Sequence, residues 1–393
     1  MKILHMNKKL GVIGIGKLGL SFALLAENKG YEVWGSDVNK EYINSLKNKT
    51  FKTNEPHINE FLKNSKNFHP TTENIDVIGN CDLIFTFVPT NSLLNGEYDH
   101  KYVEEVVDAF EAMHYTGCDI IGKTLVIGCT TSPGYTDTVQ ERLEEYGVNV
   151  CYNPEFIAQG EIINGLVNSD FVLIGTNTPN EIRDLTEVYY TIMDDEPVFK
   201  IMSNTAAEIT KIAVNCYLTT KISFANMIGE ICHNTGIGDE VDTVLSTIGT
   251  DKRIGNRYLK YGFGFGGPCL PRDNRALGAH AEKIGLEVNL PLSVDKFNFE
   301  HHKYLVNKLV TEYPDRNTTF VFDSVSYKKG IDILEDSQQL TLLLTLLSEG
   351  YNCVVLEMDS IIEKIETPLK NVWGDRITML PLNSEVEGVK INL

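Results

Sequence analysis

Cys269 is the residue whose surroundings in the sequence best suit covalent chemistry. Four glycines occupy positions 262, 264, 266 and 267, and such a loop lets the backbone approach a ligand closely. Pro271 suits the first turn of a helix, so Cys269 is predicted just before a helix N-terminus, where the nucleophilic thiolate is favoured. Asp273 follows four residues later, on the same helix face. The pattern predicts a reactive thiol, and the alternative is a buried, unreactive cysteine beneath a flexible loop.

A second constellation, near the N-terminus, predicts a dinucleotide site. The GxGxxG fingerprint is formed by Gly14, Gly16 and Gly19, with Lys17 and Leu18 between the last two. It follows a strand-like run and opens a helical pattern, and a second strand then leads to Asp37. The glycines let a pyrophosphate approach the backbone at the positive end of the helix. Asp37 would bind ribose hydroxyls and repel a 2′-phosphate, so NAD is predicted rather than NADP. The alternative is a structural turn with a solvated aspartate.

Short apolar runs alternate with helical patterns over about the first 200 residues. Five runs are predicted as buried parallel strands, namely Leu10–Ile13, Glu32–Gly35, Leu83–Val88, Thr124–Ile127 and Phe171–Gly175. Strands that alternate with helices in this way indicate a doubly wound α/β sheet. The fold class predicted for the N-terminal part is therefore α/β, of the Rossmann type.

The pattern changes near Ser203. From Thr205 to Thr235 apolar residues recur at helical spacing without a proline, which predicts one long helix, capped by Ser203 or Asn204 and stopped by Gly236. About 30 helical residues span roughly 45 Å, so this helix is predicted as a spine between domains, with a dimer surface along it. The α/β pattern then resumes after about residue 300, with strands at Phe320–Phe322 and Cys353–Leu356 and a helix at Ser337–Ser348.

The composition excludes several classes of protein. The chain has 393 residues, 42% of them hydrophobic, which is enough for two or three globular domains. Its net charge of -19 argues against a nucleic-acid partner, although helix N-termini can still hold a few phosphates. No apolar run approaches the roughly 20 residues of a membrane span, and no signal-like core opens the chain. The eight cysteines form no CxxC pair, so we expect no metal site and a reducing, cytoplasmic setting.

The loop around Cys269 resembles the GFGGxCxPKD signature of the UDP-glucose/GDP-mannose dehydrogenase family, written here as GFGGPCLPRD over Gly264–Asp273. Other blocks of that family recur in the same order, at Val88–Thr90, Cys129–Gly134, Asn153–Phe156, Ala207–Asn215 and Arg253–Asn256. The resemblance implies three parts. Residues 1–204 would be an NAD-binding Rossmann domain, residues 205–300 a central helical dimerisation domain with the cysteine loop, and residues 301–393 a Rossmann-like domain that binds the UDP-sugar.

The reaction implied by the resemblance is a double oxidation of a sugar C6 alcohol to a carboxylate, through a thiohemiacetal and a thioester on the cysteine. Lys211 and Asn215, spaced i and i+4 on one helix face, would jointly stabilise oxyanions at the reacting carbon. Asp273 and Thr130 would position water. Glu155 would serve as the general base for hydrolysis of the thioester.

The resemblance also implies which residues hold the two ligands. NAD would contact Gly14, Gly16, Lys17, Leu18, Gly19, Asp37, Val88, Thr90, Thr130, Gln159 and Arg272. The nucleotide sugar would contact Glu155, Phe156, Lys211, Asn215, Arg253, Tyr258, Lys260, Phe265, Gly266, Tyr327 and Lys328. Arg253 corresponds to a family residue that reaches the substrate of the neighbouring subunit, which implies a homodimer or a multiple of dimers.

UDP-glucose is the predicted substrate, because Arg253–Asn256 together with Tyr258–Lys260 resembles that branch of the family most closely. GDP-mannose or a UDP-N-acetylhexosamine would suit the same catalytic apparatus. An ordinary two-electron dehydrogenase of the β-hydroxyacid type would need no nucleophilic cysteine. A catalytically silent nucleotide-sugar binder is the last alternative. That alternative rests on two departures from the family. Gln159 occupies a position where the family has a glutamate, and Glu335 lies near a position where the family usually has an arginine.

Overall fold

The computed structural model describes residues 8–157, 160–178, 182–287 and 289–391. The chain divides into two compact units, Met1–Ile212 and Ala213–Leu393. The predicted boundary at residue 204 coincides with the start of a long helix, and the one at residue 300 falls inside another helix. The division into three domains stays a prediction.

The first unit is built on an eight-stranded sheet with the order β3-β2-β1-β4-β5-β6-β7-β8. The strands are β1 (Lys9–Ile13), β2 (Glu32–Ser36), β3 (Phe68–Thr71), β4 (Leu83–Thr86), β5 (Thr124–Ile127), β6 (Asn149–Tyr152), β7 (Val172–Gly175) and β8 (Phe199–Met202). Adjacent strands from β3 to β6 pair in parallel, which confirms the predicted parallel strands β1, β2, β4 and β5. The strands β3, β6 and β8 were not predicted. The chain order reverses between β1 and β4, which makes that point the topological switch of the sheet.

One predicted strand direction is wrong. The run Phe171–Gly175 forms β7, but β7 is antiparallel to β6, with Tyr152 opposite Gly175, and parallel to β8. All four residues of β7 are buried, and a strand covered on both faces has the same apolar pattern whichever way it runs. The pattern alone therefore could not give the direction of the strand.

Helices cover both faces of this sheet. They are α1 (Lys17–Asn28), α2 (Lys40–Lys47), α3 (Ile58–Asn64), α4 (Asn74–Asn80), α5 (Lys101–Tyr115), α6 (Tyr135–Glu144), α7 (Ile162–Val167) and α8 (Arg183–Ile192). One buried cluster joins the strands to α1, α3, α7 and α8, and another joins them to α4, α5 and α6. Two cores on opposite faces of a largely parallel sheet define the doubly wound arrangement that the sequence predicts.

The long helix α9 runs from Asn204 to Asn234, within one residue of its predicted bounds. Gly236, which follows it, has a φ of +80°, and the Ile237 N–H then donates to the Cys232 carbonyl at 3.0 Å. That return bond satisfies a carbonyl that the helix leaves open, and a residue without a Cβ adopts the required backbone conformation at little cost. Gly236 therefore ends the helix as predicted.

In its described residues, the second unit contains the rest of α9, five further α-helices and a four-stranded sheet. The helices are α10 (Val241–Thr250), α11 (Leu270–Lys283), α12 (Leu290–Glu312), α13 (Gln338–Ser348) and α14 (Asp359–Trp373). The strands are β9 (Thr319–Phe322), β10 (Asn352–Glu357), β11 (Ile377–Pro381) and β12 (Val389–Lys390), all paired in parallel in the order β11-β10-β9-β12. The predicted α/β pattern after about residue 300 is confirmed, and β11 and β12 are additions to it.

Candidate active site

The glycine fingerprint forms a tight connection between β1 and α1. Gly14 donates its N–H to the Ser36 carbonyl at 2.9 Å, and a Cβ on Gly14 would lie 2.9 Å from the carbonyl of Phe87. A Cβ on Gly19 would collide with the Gly14 carbonyl, so the first turn of α1 needs glycine there. Gly16 is the N-cap of α1 and has open space around the position of its Cβ. A pyrophosphate can therefore approach the N-terminus of the helix at Gly16, Lys17 and Leu18.

A cavity of about 280 Å³ lies beside this turn. It is lined by residues that include Gly16, Lys17, Asp37, Tyr42 and Phe51. Asp37 follows β2, and its Oδ1 accepts a hydrogen bond from the Asn39 N–H at 2.9 Å. Its carboxylate can accept further hydrogen bonds, and its charge opposes a phosphate at the same place. The residues present thus fit an adenosine with free ribose hydroxyls.

Three more predicted residues of the first unit follow the neighbouring strands of the sheet. Val88 and Thr90 come after β4, and Thr130 comes after β5. Because the carboxyl ends of parallel strands meet at one edge of a sheet, these loops lie along the same edge as the glycine turn. Thr90 and Thr130 are both buried. The sheet therefore places Val88, Thr90 and Thr130 at the same edge as the glycine turn.

The loop after β5 is held by a carboxylate that the sequence analysis gave no role. Glu208 of α9 is buried and accepts hydrogen bonds from Thr131 Oγ1, the Gly134 N–H, and both the N–H and the Oγ1 of Thr136, at 2.6 to 2.9 Å. Burial raises the pKa of Glu208, and these donors oppose that rise. The contact connects the Thr130 loop to the helix that carries Lys211.

Glu155 follows β6, the next strand of the same edge. The Lys211 ammonium donates to the backbone carbonyl of Glu155 at 2.6 Å and lies 4.4 Å from the centre of the Phe156 ring. The Tyr189 hydroxyl oxygen lies 2.7 Å from Glu155 Oε1 and 2.6 Å from Asn153 Oδ1. Burial raises the pKa of the Glu155 carboxyl, against the effects of Tyr189 and Lys211. A carboxyl with a raised pKa holds its proton more readily than a solvated carboxyl does.

In the second unit, Cys269 is exposed and is the N-cap residue of α11. Pro271 lies in the first turn of α11, and the Asp273 N–H donates to the Cys269 carbonyl at 2.9 Å. The position of Cys269 before a helix N-terminus is therefore as predicted. The positive end of the helix stabilises a thiolate at this position, and exposure makes the sulfur accessible to a carbonyl carbon.

Asp273 is buried and paired on both carboxylate oxygens. Its Oδ2 accepts from Asn215 Nδ2 at 2.6 Å, and its Oδ1 accepts from Arg272 Nε at 3.2 Å. The Asn215 amide uses one of its two N–H groups in this bond. Asp273 therefore orients Asn215, and the second N–H of that amide is the group that can serve an oxyanion.

Buried polar side chains also hold the glycine-rich loop before Cys269. Asn226 accepts from the Gly262 N–H at 3.0 Å and donates to the Phe263 carbonyl at 3.3 Å. Asn298 exchanges two bonds of 2.9 Å with the N–H and the carbonyl of Phe265. His301 places Nε2 2.7 Å from the Gly262 carbonyl. These side chains fix a loop whose glycines would otherwise leave it mobile.

The remaining predicted substrate residues belong to this unit as well. Tyr327 is half-buried and packs on Gly267, where a Cβ would collide with its ring. The Phe265 ring is buried, so Phe265 and Gly266 offer backbone groups rather than side chains. Tyr258, Lys260 and Lys328 are exposed, and Arg253 is 88% exposed and paired with Asp251 at 2.6 Å. Their contacts with a nucleotide sugar stay predictions.

Two further findings concern the described part of the chain. Gln159 lies outside it, and the predicted cofactor contact of Gln159 stays a prediction. Among the described residues, no group of three or more His, Cys, Asp and Glu side chains is arranged to hold a metal ion. In the same residues, no helix combines the length and the hydropathy that a membrane span requires.

The fold and the glycine turn define a dinucleotide-binding α/β protein with an exposed, helix-capping cysteine. Residues 8–193 match the NAD binding domain of the UDP-glucose/GDP-mannose dehydrogenase family, and residues 205–300 match the central domain of that family. The chain therefore belongs to the UDP-glucose/GDP-mannose dehydrogenase family.

Individual relatives agree with this assignment. UDP-glucose 6-dehydrogenase TuaD of Bacillus subtilis is 31% identical over 308 residues, which are 77% of this chain and 66% of that protein. UDP-glucose 6-dehydrogenase of Rickettsia bellii is 27% identical over 345 residues, 86% of this chain and 78% of that protein. A solved UDP-glucose dehydrogenase from Pyrobaculum islandicum has a TM-score of 0.85 at 27% identity, covering 97% of this chain and 87% of that one. The predicted family, fold class and enzyme class are confirmed: this is a nucleotide-sugar dehydrogenase with an NAD-type binding domain.

Proposed function

We propose that the protein oxidises UDP-glucose twice at C6, to UDP-glucuronate, with NAD as the oxidant and Cys269 as the covalent catalytic residue. The observation that carries the proposal is the exposed thiol at the N-terminus of α11, behind a loop whose glycines permit close approach of a sugar. Named relatives that act on UDP-glucose support this substrate over GDP-mannose and UDP-N-acetylhexosamines.

The cofactor would be held by the turn from Gly14 to Gly19 and by Asp37, and when bound it supplies the hydride acceptor for both oxidations. The negative charge of Asp37 supports NAD over NADP. The other steps belong to side chains of this protein. Val88, Thr90, Thr130, Gln159 and Arg272 are the further cofactor contacts that we propose.

After the first oxidation, the Cys269 thiolate adds to the C6 aldehyde and forms a C–S bond, which retains the reactive aldehyde on the enzyme. The Lys211 ammonium and the second N–H of Asn215 stabilise the oxyanion of this thiohemiacetal. Its oxidation yields a thioester. Water then attacks the thioester carbon, and Glu155 accepts one proton of that water. The C–S bond breaks to release the thiolate and the carboxylic acid, which loses its own proton to solvent.

The test is the amount of NADH formed per molecule of UDP-glucose consumed to completion. The proposed reaction yields two NADH, and the same assay with NADP is expected to be much slower. One NADH per sugar would instead indicate a simple two-electron dehydrogenase. Turnover of GDP-mannose or of a UDP-N-acetylhexosamine, but not of UDP-glucose, would identify that nucleotide sugar as the substrate instead. Binding of UDP-glucose without any NADH would identify a silent binder.

A further inference from the structure

Three side chains of the first unit, Asn153, Tyr189 and Glu155, form a chain of short contacts. Both contacts can be hydrogen bonds only if the Glu155 carboxyl is protonated. The Tyr189 hydroxyl oxygen lies 2.6 Å from Asn153 Oδ1 and 2.7 Å from Glu155 Oε1. A phenol carries one proton, so Tyr189 can donate to only one of these two oxygens at a time. The other short contact needs a proton that one of the partners supplies.

The orientation of Asn153 decides which partner supplies it. Its Nδ2 donates to the Leu173 carbonyl at 2.8 Å, and a carbonyl can only accept. A reversed amide would set two oxygens against each other at that distance, so Oδ1 is the atom that faces Tyr189. Tyr189 therefore donates to Asn153. The contact with Glu155 then requires that Glu155 carry the proton and donate it to the Tyr189 oxygen.

The surroundings of the chain agree with this assignment. Asn153 is 1% exposed and Tyr189 is 2% exposed, so Asn153 Oδ1 and the Tyr189 hydroxyl need hydrogen-bond partners within the protein. Burial raises the pKa of Glu155, and the hydroxyl of Tyr189 from α8 and the ammonium of Lys211 from α9 act in the opposite direction. Lys211 directs its ammonium to the backbone carbonyl of Glu155.

We infer that Asn153 and Tyr189 are positioning residues that set the protonation state of Glu155. At rest the carboxyl is protonated and donates to Tyr189, which donates to Asn153. When Glu155 loses its proton to solvent, the Tyr189 hydroxyl must turn from Asn153 to the carboxylate, and Asn153 Oδ1 loses its donor. That loss opposes ionisation. The carboxylate then regains a proton from the attacking water, which closes the cycle. This role in hydrolysis rests on the function proposed above.

The experiment is a titration of Glu155 followed by infrared spectroscopy, with Glu155→Gln as the spectrum to subtract. The protein is tested without substrate, as wild type and as the variants Asn153→Ala, Asn153→Leu, Tyr189→Phe and the double variants. Both Asn153 variants should move the ionisation midpoint to lower pH by roughly half a unit or more, because Tyr189 is then free to donate to the carboxylate. Tyr189→Phe removes the bond to Glu155 in both protonation states and the bond to Asn153, so this variant serves as the background in which the Asn153 variants are compared.

The decisive comparison is the shift in the Glu155 ionisation midpoint that the Asn153 variants cause in the wild type and in Tyr189→Phe. If Asn153 acts through Tyr189, its removal shifts the midpoint in the wild type and leaves it unchanged beside Tyr189→Phe. An equal shift in both backgrounds, or a wild-type Glu155 that is ionised throughout the titration, overturns the inference. If the Asn153 variants fail to fold, the wild-type titration still decides, because the inference requires a protonated Glu155 carboxyl whose signal is absent from Glu155→Gln.

Activity measurements separate this inference from the proposed function. The pH midpoint of kcat should move with the infrared midpoint, whereas KM for UDP-glucose should change little. Failure to oxidise UDP-glucose would count against the proposed function alone, because the titration needs no turnover. Double oxidation of UDP-glucose with unshifted midpoints would count against the Asn153–Tyr189 chain alone.

Discussion

Cys269 differs from the other cysteines of the chain in what surrounds its sulfur. Cys81, Cys216 and Cys353 are buried, and burial raises the pKa of each thiol to about 12. Cys269 is exposed at the start of α11, where the helix favours a negative charge. Cys118 is exposed as well, but it follows the end of α5, where the helix favours a cation instead. These surroundings support the proposal that Cys269 is the nucleophile.

The first prediction concerns this thiol. Cys269→Ser should lower the rate of NADH formation from UDP-glucose by about 1,000-fold or more, because a serine hydroxyl at this position is a far weaker nucleophile than a thiolate. NAD should still bind, since the proposed cofactor turn is in the first unit. Cys118→Ser is the matched control and should retain the wild-type rate. Carboxylate production by Cys269→Ser near the wild-type rate would rule out covalent catalysis.

Among the secondary-structure elements, α9 is joined to the loop after β5 by the hydrogen bonds of Glu208. Its two oxygens accept four hydrogen bonds from Thr131, Gly134 and Thr136, all within the first unit. An ionised carboxylate accepts through both oxygens, whereas an amide accepts through one. The geometry of this contact therefore depends on the chemical type of residue 208 and not on its volume.

The second prediction follows from this difference between a carboxylate and an amide at position 208. Glu208→Gln keeps the size of the side chain but leaves at least one buried donor of the loop unpaired, which costs about 1–3 kcal/mol. We expect the free energy of unfolding, measured with urea, to fall by that amount. Glu141→Gln on α6 is the matched control, because Glu141 is exposed and its loss should change stability by less than about 0.5 kcal/mol. Equal effects of the two variants would contradict the role of Glu208.

At the scale of the whole molecule, α9 carries apolar side chains that the chain leaves exposed. Tyr217, Phe224, Met227 and Ile231 recur at spacings of seven, three and four residues, which places them along one face of the helix. Exposed apolar residues arranged in a stripe favour burial against a second copy of the chain. The observation supports the predicted homodimer, in which Arg253 completes the substrate site of the neighbouring subunit.

The third prediction tests that shared site by complementation. Arg253→Ala and Cys269→Ser should each be inactive as pure proteins. After subunit exchange, a mixed dimer has one site with both defects and one with neither, so partial activity should return. The theoretical ceiling is one intact site in each mixed dimer. Proven mixed dimers that stay inactive, or a fully active wild-type monomer in light scattering, would exclude the shared site.

Features that depend on neighbours along the chain could be predicted from the amino-acid sequence. The glycine turn from Gly14 to Gly19, the end of α9 at Gly236 and the place of Cys269 before α11 each follow from residues within a few positions. Backbone conformation and helix capping are local, so a short segment is enough to predict them. The positions of β1, β2, β4, β5 and β7 were predictable for the same reason, because a buried strand is a continuous apolar run. The strands β3 and β8 are only partly buried and were not predicted.

The direction of β7 and the hydrogen-bond partners of Glu155 and Glu208 depend on how distant segments pack, so the sequence did not predict them. Tyr189 is 34 residues from Glu155, and the donors to Glu208 come from 72 to 77 residues away. Nothing in the sequence around Tyr189 distinguishes it from a core aromatic, because the hydrogen bond exists only when α8 packs beside the end of β6. Hydrogen-bond partners over such separations depend on how the sheet and its helices pack, and the local sequence pattern does not predict that packing.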